Sequence, residues 1–284
     1  MRGSTVQSCP SAQESNFMNI QFTKMHGLGN DFVVMENMNG RIKLTPEQII
    51  FLCDRHKGIG ADGVILIETK EGADCFMNYY NSDGTVAEMC GNGVRCVAKF
   101  FKDEILPKNS TQNNFKIATR AGIKEIEYLD DATFSVNMGK PVFSHKDFPG
   151  DSMEFENLKL DFVSMGNPHA VALVEDLEKY DLPVLGSEIE NNKNFPNKIN
   201  FELVQEISPK EFKVKVWERG SGITLACGTG ACAVYAIVRK ISDAEKEINI
   251  NLPGGNLLMS ENLNGDIIMR GPAVAVCRGM VEIK

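Results

Sequence analysis

Two cysteines open two helices at matching points of this chain, and that repetition constrains the fold more than any other feature. Cys90 is followed by Gly91, Asn92 and Gly93, then by Val94, Val97, Ala98 and Phe101 at the i, i+3, i+4, i+7 spacing of a helix with one buried face. Cys227 is followed by Gly228, Thr229, Gly230 and Ala231, then by Val234, Ile237, Val238 and Ile241 at the same spacing. A thiol at a helix N-terminus lies beside unpaired backbone N–H groups and the positive end of the macrodipole, a setting that favours a thiolate or a bound carboxylate.

The surroundings repeat as well. Strand-like runs Ile20–Lys24 and Phe32–Met35 flank a Gly-rich loop containing Asn30. Thr45 to His56 reads as a helix with Thr45 as N-cap, Pro46 at the first helical position and Gln48 closing a capping box. Strands are expected at Val64–Glu68, Cys75–Tyr80 and Thr85–Met89, the last two joined by the turn Asn81, Ser82, Asp83, Gly84. After the Cys90 helix come Phe115–Thr119, Ile123–Tyr128 and Thr133–Asn137.

From Leu158 the series restarts. Leu158–Ser164 and Ala170–Val174 flank a turn containing Asn167, a helix is expected near Leu182–Glu190, and strands at Ile199–Gln205 and Phe212–Glu218 lead to the Cys227 helix. Ile248–Leu252, Leu257–Ser260 and Asp266–Met269 complete it. Asn30 to Cys90 and Asn167 to Cys227 are both 60 positions, the register an internal duplication leaves behind. The expected fold is α+β: two pseudo-symmetric mixed α/β lobes, each a sheet wrapped around a central helix, with a ligand cleft between them. Residues 18–139, joined by a C-terminal strand 273–284, form the N-terminal lobe, and 140–272 the C-terminal lobe. Residues 1–17 are polar and aperiodic and read as a leader or tag remnant outside the fold.

A net charge of -8 over 284 residues, with no Lys/Arg cluster, argues against nucleic acid or an anionic membrane as partner and leaves small molecules. No run approaches the roughly 18 apolar residues of a membrane span, and a cytoplasmic location is expected. The eight cysteines lie mostly within apolar elements, so they read as reduced rather than as a disulfide framework. Buried, inert packing is expected for Cys53, Cys75, Cys96, Cys232 and Cys277.

Facing thiols suit an enzyme that inverts a stereocentre without a cofactor, in which one base removes a proton and a second acid delivers one to the opposite face. Their ordinary pKa of about 8.5 lets one be thiolate while the other is thiol. No lysine stands in a setting suited to pyridoxal phosphate. Gly58 to Gly63 spells GxGxxG but leads into a strand rather than a helix, so it is not read as a dinucleotide site.

The chain resembles the diaminopimelate epimerase family at Met25–Phe32 (MHGLGNDF), Asn81–Cys96 (NSDGTVAEMCGNGVRC), Ser164–His169 (SMGNPH), Trp217–Gly222 (WERGSG), Ala226–Ala233 (ACGTGACA) and Leu252–Gly255 (LPGG). The resemblance implies a cofactor-independent, metal-free epimerase of LL- and meso-diaminopimelate, commonly a homodimer, in the lysine and peptidoglycan-precursor pathway. By resemblance Cys90 and Cys227 are the acid/base pair, and Gly91, Asn92, Gly228 and Thr229 hold the reacting carboxylate. Asn30, Asn81, Asn167, Asn200, Glu218 and Arg219 hold the substrate, and His169 with Glu218 tunes the thiols. Arg219 can fork onto a carboxylate and Glu218 can accept from an ammonium. Two positions depart from the family pattern: Gly63 stands where some members carry a substrate-contacting Gln, and Ile223 where a polar residue is frequent.

Two rival readings stay open. One is a racemase of another amino acid on the same scaffold. The other is a metal or thiol-redox protein using Cys90, Cys96, Cys227 and Cys232, although C-x5-C and C-x4-C on helices are unlike a zinc knuckle. Without the resemblance, His169 reads as a turn or core histidine, Glu218 and Arg219 as a solvated pair, and the loop asparagines as turn formers.

Overall fold

The first helix starts where its capping residues dictate. In the computed structural model, which describes residues 17–130 and 132–284, Thr45 accepts from the Gln48 amide while the Gln48 side chain accepts from the Thr45 amide, and Pro46 occupies the first turn of α1 (Pro46–Cys53). That capping box satisfies two donors a helix start otherwise leaves unpaired. Around α1 lie β1 (Met18–Gly27), β2 (Asn30–Glu36), β3 (Gly63–Glu68) and β4 (Cys75–Asn81). Next come α2 (Gly91–Phe100), β5 (Asn114–Thr119), β6 (Gly122–Tyr128) and β7 (Thr133–Gly139).

The second series is β8 (Ser152–Phe155), β9 (Leu158–Ser164), β10 (Pro168–Val174), α3 (Leu182–Glu190), β11 (Asn200–Ser208), β12 (Glu211–Glu218) and β13 (Gly222–Thr224). It continues through α4 (Gly228–Ile241), β14 (Ile248–Leu252), β15 (Gly255–Glu261) and β16 (Ile267–Pro272), and the chain ends in β17 (Val274–Ile283).

All the strands hydrogen-bond into one continuous sheet whose centre is the antiparallel pair β7–β16. On one side of that pair, β1–β2 is antiparallel, β2–β3 parallel, β3–β4 antiparallel, β4–β5 parallel, and β5–β6 and β6–β7 antiparallel. On the other side, β9–β10, β10–β11, β11–β12, β12–β14, β14–β15 and β15–β16 repeat those senses in the same order. The α+β fold with two pseudo-symmetric halves is thus written in the pairing. β17 returns to lie antiparallel to β1, while β8 takes the equivalent outer place beside β9.

Each half surrounds one helix. α2 is touched by β1, β2, β3, β5, β6 and β7, and α4 by β9, β10, β11, β14, β15 and β16. Every residue of α2 except Lys99 is buried, including Val94, Val97 and Phe100. Each fully buried Val, Leu or Phe of this kind contributes roughly 1.5–3 kcal/mol. That burial, rather than the propensity of a Gly-rich sequence, holds the two helix starts in place.

Four details differ from the sequence reading. Thr85–Met89 is not a strand: only an isolated bridge joins Val86 to Tyr80. Arg120 donates to the carbonyls of Tyr79 and Ala87 there, and the Tyr79 carbonyl also accepts from the Ala87 amide. The short strands β8 and β13 carry no run long enough to announce them. Cys277, expected to be buried, is exposed on β17, an outer strand with one neighbour, whereas Cys53, Cys75, Cys96 and Cys232 are buried as expected. The expected leader lies outside the described residues except for Phe17.

Candidate active site

The two cysteine-headed helices meet end to end. A Cβ built on Gly228 would lie 3.3 Å from the Gly91 Cα, so glycine at both positions is what lets the two starts abut. Met269 of β16 and Met138 of β7 lie against Gly91, placing the central strand pair directly beneath the junction. Cys90 and Cys227 are the N-cap residues, both with extended backbone, and neither is in a disulfide. Across the junction Asn92 Nδ2 donates to the Ala226 carbonyl at 3.0 Å, tying one lobe to the other. Two helix starts therefore abut at one junction, and backbone amides at a helix start favour an anion.

The sulfurs have different partners. Cys90 is half-buried, and its thiol donates to Asn30 Oδ1 at 3.4 Å. Cys227 is 5 % exposed; it accepts from the Gly230 amide at 3.3 Å and meets Thr229 Oγ1 at 3.4 Å. Burial pushes the Cys90 thiol up to about 11, opposed by the amides of Gly93 and Asn92 and reinforced by Glu218. Burial, then the carboxylates of Glu218 and Glu202, hold Cys227 well above the ordinary thiol range, against the pull of Thr229 and Gly230.

His169 is fully buried and pairs not with Glu218 but with Glu202: Nδ1 lies 2.7 Å from Glu202 Oε1, and Nε2 lies 3.1 Å from Asn167 Oδ1. Asn167 Nδ2 donates to Thr229 Oγ1 at 3.3 Å, completing a chain from Glu202 to Cys227. Glu202 is the residue that sequence reading missed. It lies beneath Gly230, where a Cβ would come within 2.6 Å of its Oε1, and its other oxygen has no hydrogen-bond partner. Glu218 instead accepts from the Thr224 hydroxyl; burial raises its pKa, with Thr224 and Cys227 opposing.

A model of the family described as diaminopimelate epimerase matches residues 22–144 and 162–276. The chain belongs to that family. It is 40% identical over 281 residues to a diaminopimelate epimerase of Teredinibacter turnerae, covering 94% of this chain and 100% of that one. Its identity to the diaminopimelate epimerase of Trichodesmium erythraeum is 41% over 280 residues, covering 93% of this chain and 100% of that one. Among solved structures, a PhzF-family phenazine biosynthesis protein of Bacillus anthracis has a TM-score of 0.68 at 18% identity, covering 94% of this chain and 100% of that chain. A hydroxyproline epimerase of Agrobacterium vitis has 0.66 at 14% identity, covering 93% and 91%. These two likenesses show the shared fold.

In this diaminopimelate epimerase family member the remaining predicted positions are engaged in different ways. Asn30 Nδ2 donates to Asp62 at 2.8 Å. Asn81 pairs across the ladder with Gly63, and its amide donates to Thr85 Oγ1 at 3.0 Å. Asn200 is buried with both ends of its amide engaged, accepting from the Arg219 amide at 2.9 Å and donating to the Pro168 carbonyl at 2.8 Å. It thus links the Arg219 turn to the loop before His169. Arg219 is exposed, and its guanidinium donates to the Asn197 carbonyl at 3.0 Å.

The Gly63 departure has a physical cause. A Cβ there would collide with the Tyr80 carbonyl and stand 2.5 Å from the Tyr79 ring, so Tyr79 fills the space a side chain from position 63 would need. Ile223 is exposed, and nothing in the structure explains why it is apolar.

Proposed function

We propose that this chain epimerises LL- and meso-diaminopimelate without a cofactor, by proton transfer between Cys90, Cys227 and the substrate α-carbon. The observation that carries the reading is the junction of two cysteine-headed helix starts; family membership supplies the substrate. One sulfur, as thiolate, takes the α-proton, and the C–H electron pair is delocalised into the carboxylate. The other thiol then delivers its proton to the opposite face, leaving the first cysteine protonated. The amides around Gly91, Asn92, Gly228 and Thr229 hold that carboxylate as its charge grows, which is where fixed dipoles lower a barrier most. Because both resting thiols lie high, the starting thiolate forms only when substrate and acidic neighbours rearrange the proton distribution.

In this reading Asn30, Asn81, Asn167, Asn200, Glu218 and Arg219 recognise the distal amino-acid end, His169 and Glu218 tune the thiols, and Glu202 joins them as the partner of His169. The lobes are divided as residues 18–139 with 273–284, and 140–272. A homodimer in the cytoplasm, serving lysine and peptidoglycan-precursor synthesis, is part of the same proposal. The outer strand β17, with Val276 and Met280 exposed, supports an intersubunit face.

The test is solvent-deuterium incorporation at the α-carbon of LL-diaminopimelate by wild type, Cys90→Ser and Cys227→Ser. Incorporation by wild type with losses of about 10²–10⁴-fold in epimerisation by each variant is the expected result. Absence of incorporation by folded, reduced wild type would move the assignment to another amino acid.

A further inference from the structure

The hexapeptide Gly58–Gly63, which is no dinucleotide loop, delivers a carboxylate to Asn30, the residue against the Cys90 sulfur. A Cβ at Gly58 would collide with the Phe51 carbonyl, and Gly60 has φ +78°, so glycines let the chain turn tightly beneath α1. What emerges from that turn is Asp62. Its Oδ2 accepts from Asn30 Nδ2 at 2.8 Å and from the Asp31 amide at 3.1 Å, while its Oδ1 accepts from Arg55 at 2.7 Å. Arg55 also pairs with Asp31, which binds Lys24 at 2.8 Å.

At the opposite end of the same chain of contacts lies Arg95, fully buried in α2. It donates to Asn92 Oδ1 at 2.8 Å, to the Gly91 carbonyl at 3.2 Å and to the Pro272 carbonyl at 3.1 Å. A guanidinium can only donate, so Asn92 must turn its oxygen to Arg95 and its NH2 away. That NH2 reaches Asn30 Oδ1 at 3.2 Å and the Ala226 carbonyl. A carboxylate can only accept, so Asn30 must turn its NH2 to Asp62 and its oxygen inward. Both ends of the chain impose the same orientation on Asn30.

We propose that Asp62 is a positioning residue, which together with Arg95 fixes the Asn30 amide so that its carbonyl oxygen, and never its NH2, faces the Cys90 sulfur. The proposal rests on the reading of Cys90 as one of the two proton-transfer groups. An acceptor held against the sulfur favours the protonated thiol, so lobe one presents Cys90 as a proton donor. The other charged or titratable groups acting on Cys90 are Glu218 from β12, Arg95 and Cys96 from its own helix, and Tyr79 from β4.

The experiment is the pH dependence of Cys90 alkylation by iodoacetamide in the reduced full-length protein, read peptide by peptide by mass spectrometry, for wild type, Asp62→Ala, Asp62→Asn and Asn30→Ala. Asp62 is partly exposed, which favours folded variants. Removing the acceptor in Asp62→Ala leaves Asn30 held at one end only, by Asn92, so part of the population turns its NH2 to the sulfur. The half-alkylation pH should fall by about one unit, a tenfold rise in thiolate at fixed pH. Asn30→Ala, which deletes the oxygen itself, should shift the profile in the same direction.

Asp62→Asn loses the charge but keeps an oxygen for Asn30 and the Asp31 amide, so its profile should stay near wild type. Equal shifts in Asp62→Ala and Asp62→Asn would make the effect one of charge and overturn the proposal. No shift in Asp62→Ala, or none in Asn30→Ala, would overturn it as well. Wild-type epimerisation is scored separately, so a wrong substrate leaves the alkylation result standing.

Discussion

The two lobes share a strand order and a thiol position, yet the side chains against their thiols differ. In the first, Cys90 faces an amide oxygen whose orientation is fixed by a donor-only guanidinium at one end and an acceptor-only carboxylate at the other. In the second, Cys227 is held by the Gly230 amide and the Thr229 hydroxyl. The chain behind it, Thr229, Asn167, His169, consists of groups that can each donate or accept before it ends on Glu202. Asn30 and Asn167 occupy equivalent loops, and Asn92 and Thr229 stand two residues past their cysteines. Even so, the first wiring is fixed in polarity at both ends and the second at one. A repeated scaffold supplies two cysteine-headed helix starts, and divergence at a few side chains makes their surroundings unlike.

The largest test of that contrast lies five residues past each cysteine, where the first helix buries Arg95 and the second buries Cys232. Arg95→Met should strip donors from Asn92 Oδ1 and from the Gly91 and Pro272 carbonyls. Each buried acceptor left without its donor costs about 1–3 kcal/mol. Cys232→Ala removes only a small apolar volume and should cost about 1 kcal/mol. Denaturant unfolding of both variants measures the difference; equal losses would mean that Arg95 is packing rather than wiring.

Arg95 and Glu202 also show what a sequence can and cannot reveal. The two thiols, the 60-residue register and the capping box were legible because each is a local pattern, and the strand order followed from hydrophobic runs. Arg95 was not, because an arginine in a helix ordinarily faces water, and its burial is decided by the Pro272 carbonyl far along the chain. Glu202 was hidden because its partner comes from the parallel pairing of β10 with β11, where His169 stands opposite Asn200. Register across strands, not proximity to a motif, chose Glu202 as the acid beside His169. The strand expected at Thr85–Met89 had the right composition, but its pairing stops at the single Val86–Tyr80 bridge, and the Ala87 carbonyl accepts from Arg120, a side chain 33 positions away.

A smaller effect is expected from Glu202→Gln, which keeps the shape beside His169 but removes the charge. Glu202 is one of the carboxylates that raise Cys227, after burial and Glu218. Neutralising it therefore lowers the Cys227 pKa and moves Cys227 alkylation to lower pH. A shift of about one unit corresponds to ~1.4 kcal/mol, and epimerisation should fall by about tenfold as the two thiols lose their difference. Cys90 alkylation should keep its wild-type profile. Movement of both profiles together would show that the lobes are electrostatically one site, and the contrast between them would fail.

The smallest effect is one the lobes should share. Burial pushes Cys96 of α2 and Cys232 of α4 each up to about 12. An acid whose folded pKa is raised keeps its proton after the unfolded chain has lost it. The stability it contributes is complete below the unfolded value of about 8.5 and is lost as pH climbs from there toward the folded value. Each such thiol should steepen the alkaline decline in unfolding free energy by up to about 1.4 kcal/mol per pH unit. Cys96→Ala and Cys232→Ala should therefore flatten the decline equally, measured by urea unfolding at several pH values above 8.5. Unequal flattening would show that the asymmetry confined here to the cleft extends into the two cores, since these thiols share burial but not the cleft's hydrogen-bond chains.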